Sequence, residues 1–431
     1  MARLPIQSPN TKMPYATTLL DFESFYAHCE KLNRADLRKR NVVVLSNNDG
    51  CVVAQNKELK ELGMTRGTPL FKVENFLKFY DAELFSSNYA MYGKISDRAM
   101  QLLHNFSPVI EEYSIDEAFL QIDVTKGNLD SYLHHIQDEM QRWTGLPVRL
   151  GAGVNKVYAK MAQKLSKSKK AAGVVNLYDS KYIDEALKRT KCEDIWKIGK
   201  ASALKLKKIN INNAYQLRDA KHYEIRKLLT VMGARVLMEL KGEICFPFET
   251  VATTSKNIGC SRSFGSPVND FFELKNSLIY FLTQACSRMR RQNLAAKSVT
   301  VQISTDRFRP VPWRYSKSMI YKSAFHSHYQ EEIQEWVMKV LQVIYKEGIE
   351  YKRAGILLGG LIPVEKMTKR LFDDERYEKL HRINLAVDKI NFKFGRGTIQ
   401  LANVVSDGAW QMKQQYLSPN YTNINQIPIA Y

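Results

Sequence analysis

Residues 109–122, V-I-E-E-Y-S-I-D-E-A-F-L-Q-I, set the strongest constraint on what this chain can fold into. Val109, Ile110, Ile115, Ala118, Phe119, Leu120 and Ile122 crowd both ends with apolar side chains. That pattern predicts two short β-strands meeting near the middle. Asp116 and Glu117 stand side by side at the meeting point. Adjacent acids in apolar β-structure are costly to bury unless a cation or partner neutralises them. A strand turns neighbouring side chains to opposite faces, so both acids can serve one site only where the chain bends. A solvated turn carrying two acids would satisfy the same pattern.

A third acid makes the pair informative. Asp21 lies in T-T-L-L-D-F-E-S-F-Y-A-H-C-E. Residues 17–22 read as a strand and residues 24–32 as a helix starting at the polar cap Ser24. Asp21 therefore falls at the C-terminal end of a strand. Three hard oxygen donors on adjacent strand ends suit one or two Mg²⁺ ions whose other ligands are phosphates and water. Two such ions, roughly 3.5–4 Å apart, activate an attacking oxygen and stabilise a leaving one.

At 431 residues the chain has room for two to four domains. Cys29, Cys51, Cys192, Cys245, Cys260 and Cys286 are scattered with no C-x-x-C pair, which points away from a disulfide framework or structural zinc and towards a reducing compartment. No apolar run approaches ~18 residues and no signal-peptide core opens the sequence, so a soluble intracellular protein is expected. The net charge of +20 is unevenly placed. Residues 1–150 carry 17 basic against 19 acidic residues, residues 151–215 carry 15 against 5, and residues 255–360 carry 16 against 8. A near-neutral segment beside two basic blocks fits a metal centre flanked by grips for a polyanion; a merely soluble basic surface would also fit.

Further motifs follow in order. R-N-V-V-V-L-S reads as a buried strand, N-N-D-G as a turn, and C-V-V-A-Q-N-K-E-L-K-E-L-G-M as a strand passing into a short helix that ends at Gly63. Y-G-K-I-S-D-R-A-M-Q-L-L is an amphipathic helix, and residues 130–143 are another, with His134 and His135 on its surface. V-R-L-G-A-G-V is a strand whose glycines mark close backbone passage. In the basic helix after it, Lys156, Lys160, Lys164 and Lys167 recur at about one-turn spacing and predict a strongly positive face. In S-V-T-V-Q-I-S-T-D-R-F, Val299, Val301 and Ile303 should share one strand face, and Thr300 and Gln302 the other.

Taken together, D-F-x-x-F-Y-A-x-x-E after a strand, S-N-N-D-G-C-V-V-A-Q-N and Y-S-I-D-E-A-F-L resemble the Y-family translesion DNA polymerases, closest to the UmuC-type subunits of bacterial DNA polymerase V. C-S-R-S-F-G at 260–265, F-G-R-G-T at 394–398 and W-Q-M-K at 410–413 extend the resemblance to about residue 420. It implies an α+β multidomain right hand. Residues 1–14 would be a flexible tail, 15–24 and 89–174 the palm, and 25–88 the fingers. Residues 175–246 would be a thumb with a helix–hairpin–helix, 247–256 a linker, 257–360 the little finger, and 361–431 a C-terminal region that meets a partner.

The resemblance also implies roles. Asp21, Asp116 and Glu117 would be catalytic and, with the Phe22 carbonyl, would hold two Mg²⁺ ions. Ser24 and Phe25 would offer backbone N–H groups to phosphate, and Tyr26 would be the aromatic that excludes a ribose 2′-OH; taken alone, Tyr26 reads first as a core-facing helix residue. Lys60 stands where relatives carry a triphosphate-binding Arg, Lys57 where many have Tyr, and Ala54 where some have a hydroxyl. Lys167 would bind triphosphate, although a solvated lysine face is the other reading. Gly199, as a tight turn, and Lys200 would meet a DNA phosphate, and Arg262 would meet DNA. Leu371 and Phe372 match only the end of a sliding-clamp motif.

The expected activity is error-prone synthesis opposite damaged DNA in the SOS response. Its substrates would be primer–template DNA and dNTP, and its partners a UmuD-type dimer and RecA, in the nucleoid-associated cytoplasm and away from membranes. Two other readings remain: nucleotide cyclisation on the same acids, which would not need a helix–hairpin–helix or a basic C-terminal half, and a catalytically silent DNA-binding repair protein.

Overall fold

A computed structural model describes residues 14–168, 171–250, 254–368, 375–394, 398–399 and 410–422. The chain forms two compact units. The first takes the described residues of 1–45, 51–252 and 416–431, and the second those of 46–50 and 253–415.

The first unit begins with β1 (Tyr15–Phe22), α1 (Phe25–Leu32), β2 (Asn41–Leu45), β3 (Val52–Gln55), α2 (Lys57–Glu61), α3 (Glu74–Phe79), β4 (Ala82–Ser86) and α4 (Tyr89–Leu102). It continues with β5 (Ile110–Glu112), β6 (Glu117–Asp123), α5 (Leu129–Thr144), β7 (Val148–Gly153), α6 (Lys156–Leu165) and β8 (Val174–Asn176). Four helices follow: α7 (Ile183–Arg189), α8 (Lys200–Lys207), α9 (Ala214–Arg218) and α10 (His222–Leu240). One sheet has the order β5-β6-β1-β7-β8 and a smaller one β3-β2-β4.

β1 is central, paired antiparallel with β6 and β7, so every residue from Ala16 to Phe22 is buried. With both faces covered, its sequence, Y-A-T-T-L-L-D-F, does not alternate between apolar and polar residues. α5 is amphipathic: Leu133, Ile136 and Met140 are buried while His134 and His135 stay exposed. Asn128 caps its start by accepting from the Ser131 N–H at 3.0 Å, and Gly145, with φ +70°, closes its end. The glycines of β7 let α6 lie directly on the sheet. A Cβ at Gly151 would stand 2.0 Å from the Gln163 backbone nitrogen, and one at Gly153 2.4 Å from the Tyr158 Cβ.

One expectation for the helical segment changes. Gly199 is not the tight turn: its φ is −85°, and it is the extended N-cap of α8, while Lys197 takes the left-handed conformation at φ 67°. The turn lies two residues earlier than the glycine suggests. V-M-G-A-R-V lies within α10, which breaks at Thr230 (φ 64°), and Gly233 lets Leu229 pack close. The N-terminal end of the expected linker is also anchored, since Phe248 packs against Leu19, Phe119 and Ala159.

The second unit holds β9 (Ile258–Val268), α11 (Phe271–Arg291), β10 (Leu294–Ser304), β11 (Ser316–Ser327), α12 (Gln330–Ile344), β12 (Tyr351–Gly359), β13 (Ile362–Pro363) and α13 (Glu375–Phe394). Its sheet runs β11-β10-β12-β9, with β13 on β10. Val299, Val301 and Ile303 are fully buried against α11 and α12, while Gln302 is exposed and Thr300 half-buried, as alternation predicts. Trp410 is buried in the same core, its ring 4.9 Å from that of Tyr280. Part of the C-terminal region therefore packs on the chain itself. The expected clamp residues Leu371 and Phe372 lie outside the described residues, as do residues 395–397 of F-G-R-G-T.

Candidate active site

The acids converge through strand register. Asp21, last but one in β1, pairs with Glu117, the first residue of β6. Asp116 precedes the strand and is held by its backbone: its carbonyl accepts from the Phe22 N–H at 2.9 Å. The Glu117 carbonyl accepts from the N–H groups of Tyr113 and Ser114, each at 3.0 Å, closing the bend that lets neighbouring acids share a site. Ser96 of α4 donates to the Ile115 carbonyl at 2.7 Å and pins the bend from outside.

The side chains are each engaged. Ser114 donates to Asp116 at 2.6 Å, Lys160 meets Glu117 at 2.5 Å, and Lys167 stands 3.8 Å from Asp21. Asp21 is only 7% exposed. Burial lifts its pKa from 3.8 to about 7, the nearby Lys167 ammonium opposes the rise, and the carboxylates of Glu117 and Asp116 add to it. Among the described residues no three His, Cys, Asp or Glu side chains form a preformed metal cage. The donor set nonetheless fits a divalent cation. It offers hard oxygens only, one carboxylate held near half-ionisation, and two others tied to groups (a serine hydroxyl and a lysine) that a cation could displace.

Around this centre the expected nucleotide contacts are brought together in part. Ser24 takes the left-handed conformation (φ 50°) at the α1 N-cap, but its side chain makes no capping bond. Its hydroxyl accepts instead from Lys60 at 2.5 Å. Lys60 is half-buried and its pKa is lowered, first by burial and then by Arg66. Phe25 is buried in the core, so only its backbone can face a ligand. Tyr26 is half-buried and stacks on Tyr92, with ring centroids 4.5 Å apart and planes 16° from parallel. Lys57 opens α2, and Ala54 is buried in β3. Gly199 and Lys200 are exposed at the start of α8, and Arg262 on β9 leans over the Tyr280 ring at 5.8 Å.

The lysine stripe of α6 departs from expectation. Each of its lysines, and Lys167 in the turn after it, meets an acid, and Lys156 is buried while Lys164 and Lys167 stay half-exposed. Lys156 is 3% exposed and bonds Glu111 at 2.5 Å and the Pro247 carbonyl at 2.8 Å; Lys164 meets Asp194. Removing one partner of a buried pair leaves an uncompensated charge, typically about 3–5 kcal/mol. Urea unfolding of Lys156→Met should show a loss of that size, and adding Glu111→Gln should restore a large part of it.

Three contributors escape a sequence reading. Arg149 joins Glu23 at 2.7 Å to the Ser166 carbonyl at 2.7 Å, fixing the turn that carries Lys167. Its signal was a lone charge inside an apolar strand. Lys160 reads as surface until its partner Glu117 is known. Arg66 acts electrostatically on both Tyr26 and Lys60, and its only mark is a place between Gly63 and Gly67.

The sequence matches the impB/mucB/samB family over residues 20–164 and that family's C-terminal domain over residues 255–371. Protein ImpB of Salmonella typhimurium is 33% identical across 96% of this chain and 99% of its own length. The chain belongs to the impB/mucB/samB family. Another relative of this family member, Protein UmuC of Salmonella typhimurium strain LT2, is 32% identical across 94% of this chain and 97% of its own. A domain of unknown function matches residues 381–430. Among solved structures, a Y-family DNA polymerase chimera of Dbh and Dpo4 shares the fold at a TM-score of 0.65 and 21% identity, covering 80% of this chain and 99% of that one. The insertion ternary complex of Dbh DNA polymerase matches at a TM-score of 0.54 and 22% identity over 80% of this chain. This impB/mucB/samB member is similar to UmuC over nearly its whole length and shares the fold of Y-family DNA polymerases. Among its described residues no helix is long and apolar enough to cross a membrane.

Proposed function

We propose that this chain performs template-directed, error-prone translesion DNA synthesis in the SOS response, transferring a nucleotidyl group from a dNTP to a primer 3′-OH. The observation that carries the proposal is the β1–β6 register, which sets Asp21 against Glu117 while the Phe22–Asp116 backbone bond holds the third acid beside them. The primer hydroxyl attacks the α-phosphorus, the bond to the β-phosphate oxygen breaks, and pyrophosphate leaves. Asp21, Asp116, Glu117 and the Phe22 carbonyl would hold two Mg²⁺ ions, which when bound lower the basicity of the attacking oxygen and offset charge on the leaving group.

The remaining work is positioning and charge. The Ser24 and Phe25 N–H groups open α1 towards the triphosphate, Lys60 and Lys167 offset its charge, and Tyr26 screens the sugar. Lys60 and Lys167 act as point charges rather than bidentate forks. Residues 15–24 and 89–174 serve as palm, 25–88 as fingers, 175–246 as thumb and 257–360 as little finger. Gly199, Lys200 and Arg262 belong to a sequence-independent grip on primer–template DNA, whose affinity falls steeply with salt. A UmuD-type dimer, RecA and a sliding clamp at Leu371 and Phe372 are the proposed partners, in the nucleoid-associated cytoplasm.

The test is primer extension opposite an abasic site with Mg²⁺ and dNTPs, with and without the accessory dimer, beside an incubation with NTP alone. Templated extension in either arm is the expected result. Cyclic nucleotide from NTP alone, or DNA binding with no extension in both arms, would overturn the proposal.

A further inference from the structure

The first unit contains a buried hydrogen-bond path that the reaction as described does not use. Residues 416–422 lie along the end of β4 and the start of α4. The Ser86 N–H donates to the Tyr416 carbonyl at 2.9 Å, and the Tyr416 N–H donates to the Ser86 hydroxyl at 3.0 Å. Two residues on, Ser418 is 8% exposed, and Asn88, the N-cap of α4, donates to its carbonyl at 3.0 Å and to its hydroxyl at 3.2 Å. The Ser418 hydroxyl in turn donates to Glu30 Oε1 at 3.2 Å. The same oxygen accepts from the Tyr92 hydroxyl at 2.5 Å.

Glu30 is 1% exposed on α1, and among the described residues these two hydroxyls are its only side-chain hydrogen-bond donors. Tyr92 is fully buried, so its ring has no solvent-side freedom, and on its face lies Tyr26. Stacked aromatic pairs hold a preferred offset, so a shift of the lower ring moves the upper one.

We infer that residues 416–422 form a strap that sets the height of Tyr26, with Ser418 a positioning residue acting through Glu30 and Tyr92. The inference rests on the reading of Tyr26 as the residue that screens the incoming sugar. Telling a ribose from a deoxyribose is a matter of clearance around one oxygen. A tyrosine ring whose underside is fixed holds that clearance; one resting on a loosened neighbour gives way. The strap therefore acts on sugar selectivity more than on the rate with the correct nucleotide.

Single-nucleotide insertion by the full chain on primer–template, with a dNTP and the matching rNTP, tests this. The reading is the ratio of the two kcat/KM values. Ser418→Ala should lower the ratio about fivefold, the effect of losing one buried hydrogen bond, while dNTP insertion stays within about twofold. Tyr92→Phe should lower the ratio similarly, and the double variant should be no worse than either single, because Ser418 reaches Tyr26 only through the Glu30–Tyr92 bond that Tyr92→Phe already removes. Tyr26→Val, as reference, should collapse the ratio. If Tyr26→Val collapses it and Ser418→Ala and Tyr92→Phe leave it unchanged, or lower it additively, the strap is not a positioning device. If Tyr26→Val leaves the ratio intact, the sugar-screening reading fails first and the inference goes with it.

Discussion

Asp21→Asn should abolish templated primer extension, by about 10²–10³-fold or more, while making the metal-free protein more stable. Both effects come from one cause. The carboxylate sits buried among other acids, and its pKa is about 7 in the folded chain against 3.8 for the free group. Between about pH 4 and pH 7 the folded state therefore holds its proton where the unfolded state has lost it. Stability then falls as pH rises through that window and is lowest above it, by about 1.4 kcal/mol per pH unit at most. Asparagine carries no charge to desolvate, so the variant should lose Asp21's share of that fall and keep only the pH dependence of other groups, such as the buried Glu30 and Glu239. In metal-free buffer near neutral pH the variant should unfold later, by roughly 2–4 kcal/mol. Adding Mg²⁺ should raise the Tm of the wild type much more than that of Asp21→Asn, because only the former gains a full ligand set. Chemical denaturation across pH together with primer extension checks both halves. A variant that is inactive but less stable would mean that Asp21 is a structural acid.

Gly151→Ala should be the most damaging single methyl in the first unit. Its Cβ would fall 2.0 Å from the Gln163 nitrogen, 2.5 Å from the Ala159 carbonyl oxygen and 2.6 Å from the Ala162 carbonyl carbon. All three are backbone atoms of α6, so no side chain can swing aside and the helix must move off the strand. Overpacking of this kind typically costs about 1–3 kcal/mol, and more where backbone blocks backbone. The helix carries Lys160 at its middle and leads into Lys167, so the shift also carries these cations away from Glu117 and Asp21. A misplacement near 1 Å is enough to lower turnover about 10²-fold. Gly93→Ala in α4 is the control: nothing lies within 4 Å of its Cβ, and it should be neutral or slightly stabilising. Thermal unfolding with steady-state kinetics on the two variants separates crowding from loss of a glycine as such.

What the sequence discloses here follows the range of the interaction. The β1 run, the break between β5 and β6 at the acid pair, and the buried face at Val299, Val301 and Ile303 rest on local periodicity, and each is present. Gly199 misleads because a glycine after a turn looks like the glycine of the turn, and Lys197 took the strained conformation instead. Lys156 looks like a surface charge because its partner, Glu111, lies 45 residues away. Arg149 and Lys160 become legible only once β1, β6 and β7 are laid side by side. Trp410 belongs to a motif whose packing role could not be read without α11, whose Tyr280 and Phe281 rings it meets.

The hydrogen bond between Asn88 and Ser418 joins residues 330 apart in sequence. A ribosome therefore releases the acids, the helices around them and the tyrosine pair long before the segment that fastens them. Contacts of such separation form late, after the loop they close has been searched. The nascent chain would pass through an interval in which Asp21 and Glu117 are already paired through β1 and β6 and the Tyr26–Tyr92 stack is still loose. That interval closes only when residues 416–422 have been made and have bonded to Ser86 and Asn88.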